Sequence, residues 1–178
     1  MDNNREKIIL AARKVFALKG IHQATLGDIA REAGVAKGTL YYYYQSKEAL
    51  VFEVLDEGIG AMINGFSALN EDTDLAQLTC GFLEAMVDQQ ELIHIYFHLL
   101  QESFRNPGLR ERFRQKYREW REWGTAFFRA QGYCQPEEVS TLIIAALDGL
   151  CLQWLVEPEA VNPARVSPVL AKLFANKV

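Results

Sequence analysis

The segment 25–44 constrains the fold of this chain more than any other stretch of the sequence. Thr25 is a favourable helix N-cap and Asp28 follows three residues later, so a helix is expected to begin here. Small apolar residues then repeat at helical spacing until Gly34, a residue type that commonly ends helices in a left-handed conformation. Leu40 stands where a second, short helix would fold back onto the first. The segment therefore predicts a helix-turn-helix.

The second helix of this pair is too short to contribute much to a core, yet its outward side carries polar and aromatic residues. These residues are Lys37, Gly38, Thr39, Tyr41, Tyr42 and Tyr43. Such a face favours DNA binding, because the second helix of a helix-turn-helix enters the major groove. An ordinary helical hairpin inside a bundle, with its tyrosines half-buried, is the alternative.

A third helix start follows directly, with Ser46 as its N-cap and Lys47 in its first turn. The helix dipole disfavours a cation at this end of a helix. A DNA phosphate approaching the helix would use both the lysine and the free backbone N–H groups. We therefore interpret Lys47 as a phosphate contact.

The run Thr-x-x-x-Ile-Ala-x-x-Ala-Gly-Val-x-x-Gly-Thr-Leu-Tyr-x-x-aromatic-x-Ser-Lys-x-x-Leu resembles the DNA-binding domain of the tetracycline-repressor (TetR) family. The preceding helix adds matching apolar residues, namely Ile8, Ala11, Val15 and Phe16. The resemblance spans residues 5–52. Two positions depart from it, since Tyr43 stands where the family commonly has histidine and Tyr44 where it commonly has phenylalanine. Tyr44 places a hydroxyl at an inward position, which should reach solvent or a polar partner.

The resemblance implies an all-α fold, with a three-helix DNA-binding domain over residues 1–50 and a ligand-binding and dimerisation bundle over residues 51–178. It implies a homodimeric transcription regulator, most often a repressor released from its operator by a small molecule, and not an enzyme. The expected DNA-contacting residues are Thr25, Lys37, Gly38, Thr39, Tyr41, Tyr42, Tyr43 and Lys47. Thr25 and Lys47 would contact phosphates, and Thr39 would help to read bases.

The charge distribution supports a chain that touches phosphates at one end. Residues 1–50 hold eight Lys or Arg and five Asp or Glu, a net charge of +3, whereas the remainder holds eleven basic and eighteen acidic residues, a net charge of −7. A basic head on an acidic body is typical of a protein that binds nucleic acid through the head alone.

No segment approaches the roughly 20 consecutive apolar residues that a membrane-spanning helix needs. The first residues also lack the basic and then apolar order of a signal peptide. We therefore expect a cytoplasmic protein with no membrane partner. The three cysteines, Cys80, Cys134 and Cys151, show no paired spacing and are interpreted as small buried apolar residues rather than redox sensors.

Beyond the head, the sequence predicts further helices, and the one over 136–156 is apolar on more than one side. A helix of this kind must be covered all round, which a chain of this size does not easily achieve alone. A two-fold contact with a second copy is therefore expected, completed by the last helix. The expected interface residues are Ala145, Ala146, Gly149, Leu152, Val169, Leu170 and Leu173. A helix buried within the monomer is the alternative.

The helices after residue 75 carry many aromatic residues, most of which core packing explains. Because the family encloses a small effector in this bundle, some of them should line a pocket. The candidates are Phe82, Met86, Phe97, Gln101, Trp120, Trp123, Phe127 and Asp148. The acidic residues favour a cationic or amphipathic compound.

A metal-responsive regulator is the alternative function, since four potential ligands lie on one helical stripe. They are Glu91, His94, His98 and Glu102. Two histidines four residues apart are able to bind zinc, although a solvated surface stripe explains the same pattern. No cofactor is expected, and no enzyme motif is present.

Overall fold

The computed structural model describes residues 3–66 and 74–174, and the regular structure within these ranges is helical throughout. The elements are α1 (Asn3–Gln23), α2 (Leu26–Ala33), α3 (Lys37–Tyr43), α4 (Lys47–Phe66), α5 (Leu75–Asp88), α6 (Gln90–Ser103), α7 (Pro107–Ala130), α8 (Pro136–Val156), a 3-10 turn (Pro158–Ala160) and α9 (Pro163–Leu173). The predicted all-α fold is confirmed. The chain divides into two compact units, 1–61 and 62–178, so the division falls inside α4 rather than at its start.

The first unit, the head, is built around one apolar residue or more from each of its four helices. Ile8 and Ala12 of α1, Ile29 of α2, Leu40 of α3 and Leu50 of α4 are all fully buried. Each Å² of apolar surface that these residues remove from water stabilises the folded head by about 25 cal/mol. Only Leu40 is buried among the seven residues of α3, so most of this helix lies at the surface.

Local interactions set both ends of α2. The Asp28 N–H donates to Thr25 Oγ1 at 3.1 Å, and the Thr25 N–H donates back to the Asp28 carboxylate at 3.2 Å, so the predicted cap is a reciprocal capping box. Gly34 ends α2 with φ of 66°, a conformation that costs glycine little. The predicted helix, turn and second helix are therefore present.

The second unit is a bundle of α5 to α9. Its core includes Leu83 and Met86 of α5, Phe128 of α7, and Ile143 and Leu147 of α8. The Asp74 side chain caps α5 and the Asn106 side chain caps α7, which sets where these helices begin.

The contact between α7 and α8 requires a residue without a side chain. The Ser140 hydroxyl of α8 donates to the Arg121 carbonyl of α7 at 3.0 Å. A Cβ atom placed on Gly124 would lie only 2.4 Å from Ser140 Oγ. Glycine at this position therefore allows the two helices to approach closely.

Several predicted helix boundaries agree with the structure, and α8 begins at Pro136 and ends at Val156 as expected. The sequence predicts the last helix over 165–176, but α9 begins two residues earlier at Pro163, because the Asn162 side chain accepts a hydrogen bond from the Arg165 N–H and caps the chain there. The predicted end of α4 at Leu69 and the predicted end of the last helix at Asn176 lie outside the described residues.

The helix α8 is long and apolar enough to cross a membrane by length and composition, so the expectation that no segment approaches this limit is wrong. Only 22% of the 18-residue apolar stretch within this helix is buried. The helix also carries acidic residues in its first turn, Glu137 and Glu138, and it packs against α7 along its inner side. The outer side of α8 is therefore an exposed apolar surface.

Candidate nucleic-acid interface and effector site

The outward face of α3 is open. Tyr42 is 83% exposed, Tyr41 is also exposed, and so are Lys37 and Gly38 at the start of the helix. Thr39 and Tyr43 are half-buried, and their neighbours leave one side of each accessible. Apart from its chain neighbours and the backbone of α3 itself, no atom of the described residues lies within 4 Å of the position that a Cβ on Gly38 would occupy, so this side of the helix end is unobstructed. The face matches the outward set expected from the sequence.

The geometry narrows the role of Thr25. Its N–H and its hydroxyl both donate to the Asp28 carboxylate, at 3.2 Å and 2.8 Å. No donor of Thr25 is left for a phosphate, which accepts hydrogen bonds only. Thr25 therefore sets the start of α2 with both of its donors, and its phosphate contact stays a prediction.

The Asp28 carboxylate is held by several donors at once. The hydrogen bond from Thr25 is the largest cause that lowers the pKa of Asp28 to about 2, and Lys19, whose ammonium lies 3.0 Å away, also lowers it. Arg31 approaches at 3.5 Å. The group therefore stays ionised and continues to cap α2 across the ordinary range of pH.

Lys47 has structural partners that the sequence did not suggest. Its ammonium donates to the carbonyl oxygens of Ile21, His22 and Ala24, at 2.7, 3.2 and 3.2 Å. An ammonium has three donors, so all three are used. The lysine therefore ties the end of α1 to the start of α4, which accounts for a cation at this helix end without DNA, and its phosphate contact stays a prediction.

Tyr44 is buried, and its hydroxyl lies close to an ion pair between α1 and α4. Arg5 forms this pair with Glu53 and contacts Glu57 at 2.8 Å. Burial is the main cause that raises the pKa of Tyr44 to about 12. The position that departs from the family thus buries its hydroxyl beside charged groups inside the head, and among the described residues no hydrogen-bond partner meets it, contrary to the expectation of solvent or a polar partner.

A buried polar network joins α6, α7 and α8 in the second unit. The Tyr117 hydroxyl donates to one Asp148 carboxylate oxygen at 2.5 Å, and the Tyr96 hydroxyl donates to the other at 3.1 Å. The two hydroxyls are also in hydrogen-bond contact with each other. Burial is the largest influence on Asp148 and raises its pKa, against the effect of the hydroxyl donors. Sequence reasoning selected Asp148 but missed both tyrosines as its partners.

Trp120 lies against this network. Its ring meets that of Tyr117 edge to face with centroids 5.2 Å apart, and the ring of Tyr96 lies 6.2 Å away. The Trp120 indole nitrogen is buried, and no described residue forms a hydrogen bond with it. Phe97 is next to Tyr96, at 5.1 Å between centroids. Two more candidates, Trp120 and Phe97, thus join Asp148 at one place.

The remaining pocket candidates lie elsewhere. Met86 is fully buried in the core, and Phe82 and Phe127 pack at its edge. Trp123 is 43% exposed and stacks on Phe127, while Gln101 is exposed. The structure therefore does not bring the eight predicted residues into one pocket.

The metal alternative is unsupported. Among residues 3–66 and 74–174, no group of three or more His, Cys, Asp or Glu side chains is arranged to hold a metal ion. The reason is geometric, because Glu91 and Glu102 lie at opposite ends of α6 and a helix rises about 1.5 Å per residue. His94 is exposed, and a stripe of this length cannot converge on one ion.

The predicted interface residues lie on an exposed apolar face of α8 and α9. Leu152, Val169 and Leu173 are 50%, 58% and 74% exposed. Ala145 is exposed, whereas Ala146, Gly149 and Leu170 are partly buried. Leu150, Val169 and Leu173 also line a groove of about 450 Å³ beside the 3-10 turn. A monomer leaves this face in water, at an energetic cost.

Comparison with known proteins agrees with this geometry. Residues 8–54 match the model of the tetR family of bacterial regulatory proteins, and residues 70–176 match that of the tetracyclin repressor-like C-terminal domain. The HTH-type transcriptional regulator LmrA of Bacillus subtilis is 28% identical over 184 residues, covering 97% of each chain. Several alignments with other curated relatives cover between 24% and 59% of those proteins.

Solved structures show the same fold. FadR from Bacillus subtilis in complex with stearoyl-CoA has a TM-score of 0.77 at 20% identity, covering 97% of this chain and 98% of FadR. A putative regulator from Saccharomonospora viridis in complex with choline has a TM-score of 0.76 at 21% identity, covering 99% and 97%. The two family models together span the head and the bundle, with the capped turn and exposed α3 face in the first match. The chain therefore belongs to the TetR family of DNA-binding transcriptional regulators.

Proposed function

We propose that this chain is a homodimeric repressor whose operator binding is relieved by a small-molecule effector. The observation that carries the proposal is the open face of α3, held in place by Leu40 and the capped α2. The first residues of a recognition helix contact base edges, and the flanking groups contact phosphates.

Within this face, we assign base reading to the start of α3 and backbone contact to its tyrosines. Lys37 and Thr39 present donors to the major groove, and Gly38 lets the backbone approach closely. Tyr41 and Tyr43 contact phosphates. Tyr42, the most exposed of the tyrosines, contacts a thymine methyl group or a sugar.

The proposed dimer uses the exposed apolar face of α8 and α9. Two facts support it: this face contains residues as exposed as Leu173, and one short recognition helix offers too few contacts for a specific site. A two-fold dimer would place two heads on half-sites about 34–36 Å apart. We also propose a cytoplasmic location, as the target is DNA.

The proposed dimer is tested by placing a charged side chain on the exposed apolar face of α8. Leu152→Glu introduces a carboxylate at a half-exposed position, so the monomer should fold while the dimer dissociates. Light scattering at micromolar concentration should give two chains for the wild type and one for the variant. Lys172→Glu, a charge change at an exposed polar residue of α9, is the control. A wild-type mass of one chain would refute the proposal.

Operator recognition is tested by selecting bound fragments from the genome of origin and measuring their affinity by gel shift. Affinity for the selected site should fall steeply with salt, because phosphate contacts release counterions. Lys37→Ala should weaken binding, whereas Lys172→Ala in the bundle should not. Equal affinities for the selected site and unrelated DNA would contradict the assignment.

A further inference from the structure

The Asp148 network in the bundle contains more hydrogen-bond contacts than it has protons when the carboxyl group is ionised. Three oxygen–oxygen contacts join Asp148, Tyr96 and Tyr117. The two tyrosine hydroxyls supply two protons, and an ionised carboxylate supplies none. One contact is thus left without a proton unless the carboxyl group of Asp148 is itself protonated, and the ionised form is left without a counter-charge among these three groups.

Within residues 3–66 and 74–174, no basic side chain pairs with the carboxylate. Among the described residues, Asp148 is bonded to the two hydroxyls and no Lys or Arg forms an ion pair with it. Arg121 of α7 acts on Tyr117, and Cys151 follows Asp148 one turn later on α8. A buried anion in such surroundings is costly unless it is paired.

The surroundings of the carboxylate suit an organic cation. The rings of Tyr117 and Trp120 meet edge to face beside it, and aromatic faces attract alkylammonium groups. The buried Trp120 N–H lacks an acceptor, which an oxygen atom of a ligand would provide. Asp148 and Trp120 are only partly buried, so solvent reaches the edge of the cluster.

We propose that the effector of this regulator is a small organic cation that pairs with Asp148 against the rings of Tyr117 and Trp120. The inference rests on the proposed function, since it identifies the chemical class of that effector. Neighbours solved with ligands hold choline, stearoyl-CoA or imidazole, so they leave the charge of the ligand open.

The test measures binding of cations without DNA, by intrinsic fluorescence and calorimetry. All three tryptophans, Trp120, Trp123 and Trp154, lie in the second unit, so the fluorescence signal comes from the bundle. The probes are choline, tetraethylammonium, and the neutral isostere of choline in which a tert-butyl group replaces trimethylammonium. At least one cation should bind to saturation, and choline should bind about tenfold more tightly than its isostere.

Two variants separate the charge from the fold. Asp148→Asn keeps the size of the side chain and should remove the preference for choline over its isostere, whereas Glu138→Gln makes the same charge change at an exposed site of α8 and should not. Trp120→Phe should weaken the binding of choline more than that of tetraethylammonium, because only the choline hydroxyl can accept a hydrogen bond from the indole N–H. Circular dichroism establishes that each variant is folded.

The outcomes are distinct from those that test DNA binding. If no cation binds the folded wild type, or if Asp148→Asn binds cations as tightly as the wild type, the inference is wrong and Asp148 is structural. Operator affinity is measured separately. A protein that binds cations but no operator would refute the proposed function, whereas one that binds its operator but no cation would refute this inference alone.

Discussion

Substituting Gly124 by alanine tests the packing of α7 against α8, the two helices that carry Tyr117 and Asp148 of the Asp148 network. The added Cβ would lie 2.4 Å from Ser140 Oγ and 3.2 Å from Ser140 Cβ. Rotation of the serine moves its oxygen but not its Cβ, so α7 and α8 must separate or the hydrogen bond from Ser140 to the Arg121 carbonyl must break. Overpacking costs about 1–3 kcal/mol, and a lost hydrogen bond about 0.5–1.5 kcal/mol.

Alanine also gains helix propensity, which offsets about 0.5–1 kcal/mol of this cost. We therefore expect Gly124→Ala to lower the free energy of unfolding of the bundle by about 0.5–2 kcal/mol. Urea titration followed by tryptophan fluorescence measures the bundle, because the head contains no tryptophan. Ser140→Ala alone should cost less, and adding it to Gly124→Ala should recover part of the loss.

This reasoning would be refuted if Gly124→Ala were as stable as the wild type, or if Ser140→Ala made the glycine variant worse. Either result would mean that the two helices accept a methyl group at their crossing. Because Tyr117 and Asp148 lie on the same two helices, the destabilised variant should also bind the cationic probes more weakly.

Lys47→Ala should lower the stability of the head by about 1.5–3 kcal/mol, since it removes hydrogen bonds from a charged donor to carbonyls at the end of α1; circular dichroism during denaturation measures this. It should weaken all operator variants equally in gel shifts, whereas Thr39→Ala should alter the base preference; a changed preference with Lys47→Ala would contradict its structural role. Asp28→Asn should lower stability at neutral pH. Since folding lowers the pKa of Asp28 from 3.8 to about 2, this contribution is complete above 3.8 and disappears as the pH falls towards 2, so the unfolding midpoints of variant and wild type should converge there. A difference in stability that persists at low pH would mean that the ionised Asp28 carboxylate is not its source.

The sequence predicted the DNA-binding head because its determinants are local. Thr25, Asp28 and Gly34 lie within ten residues of one another, and a cap or a left-handed glycine acts on its own turn of helix. The outward face of α3 follows from helix periodicity once Leu40 is placed inward. Most helix boundaries in the bundle were predictable for the same reason, as Pro136 shows at the start of α8.

What the tertiary structure decided depends on residues far apart in the chain. Lys47 finds carbonyl oxygens 23 to 26 residues earlier, and Asp148 finds hydroxyls 52 and 31 residues earlier. A sequence shows that such a side chain is polar or charged, but not which groups folding brings to it. Hydrophobic periodicity likewise does not distinguish a core aromatic such as Phe82 from Trp120, which lies beside a buried carboxylate. The position of a helix start is set by its own turn, whereas the partner of a buried charge is set by how the helices pack.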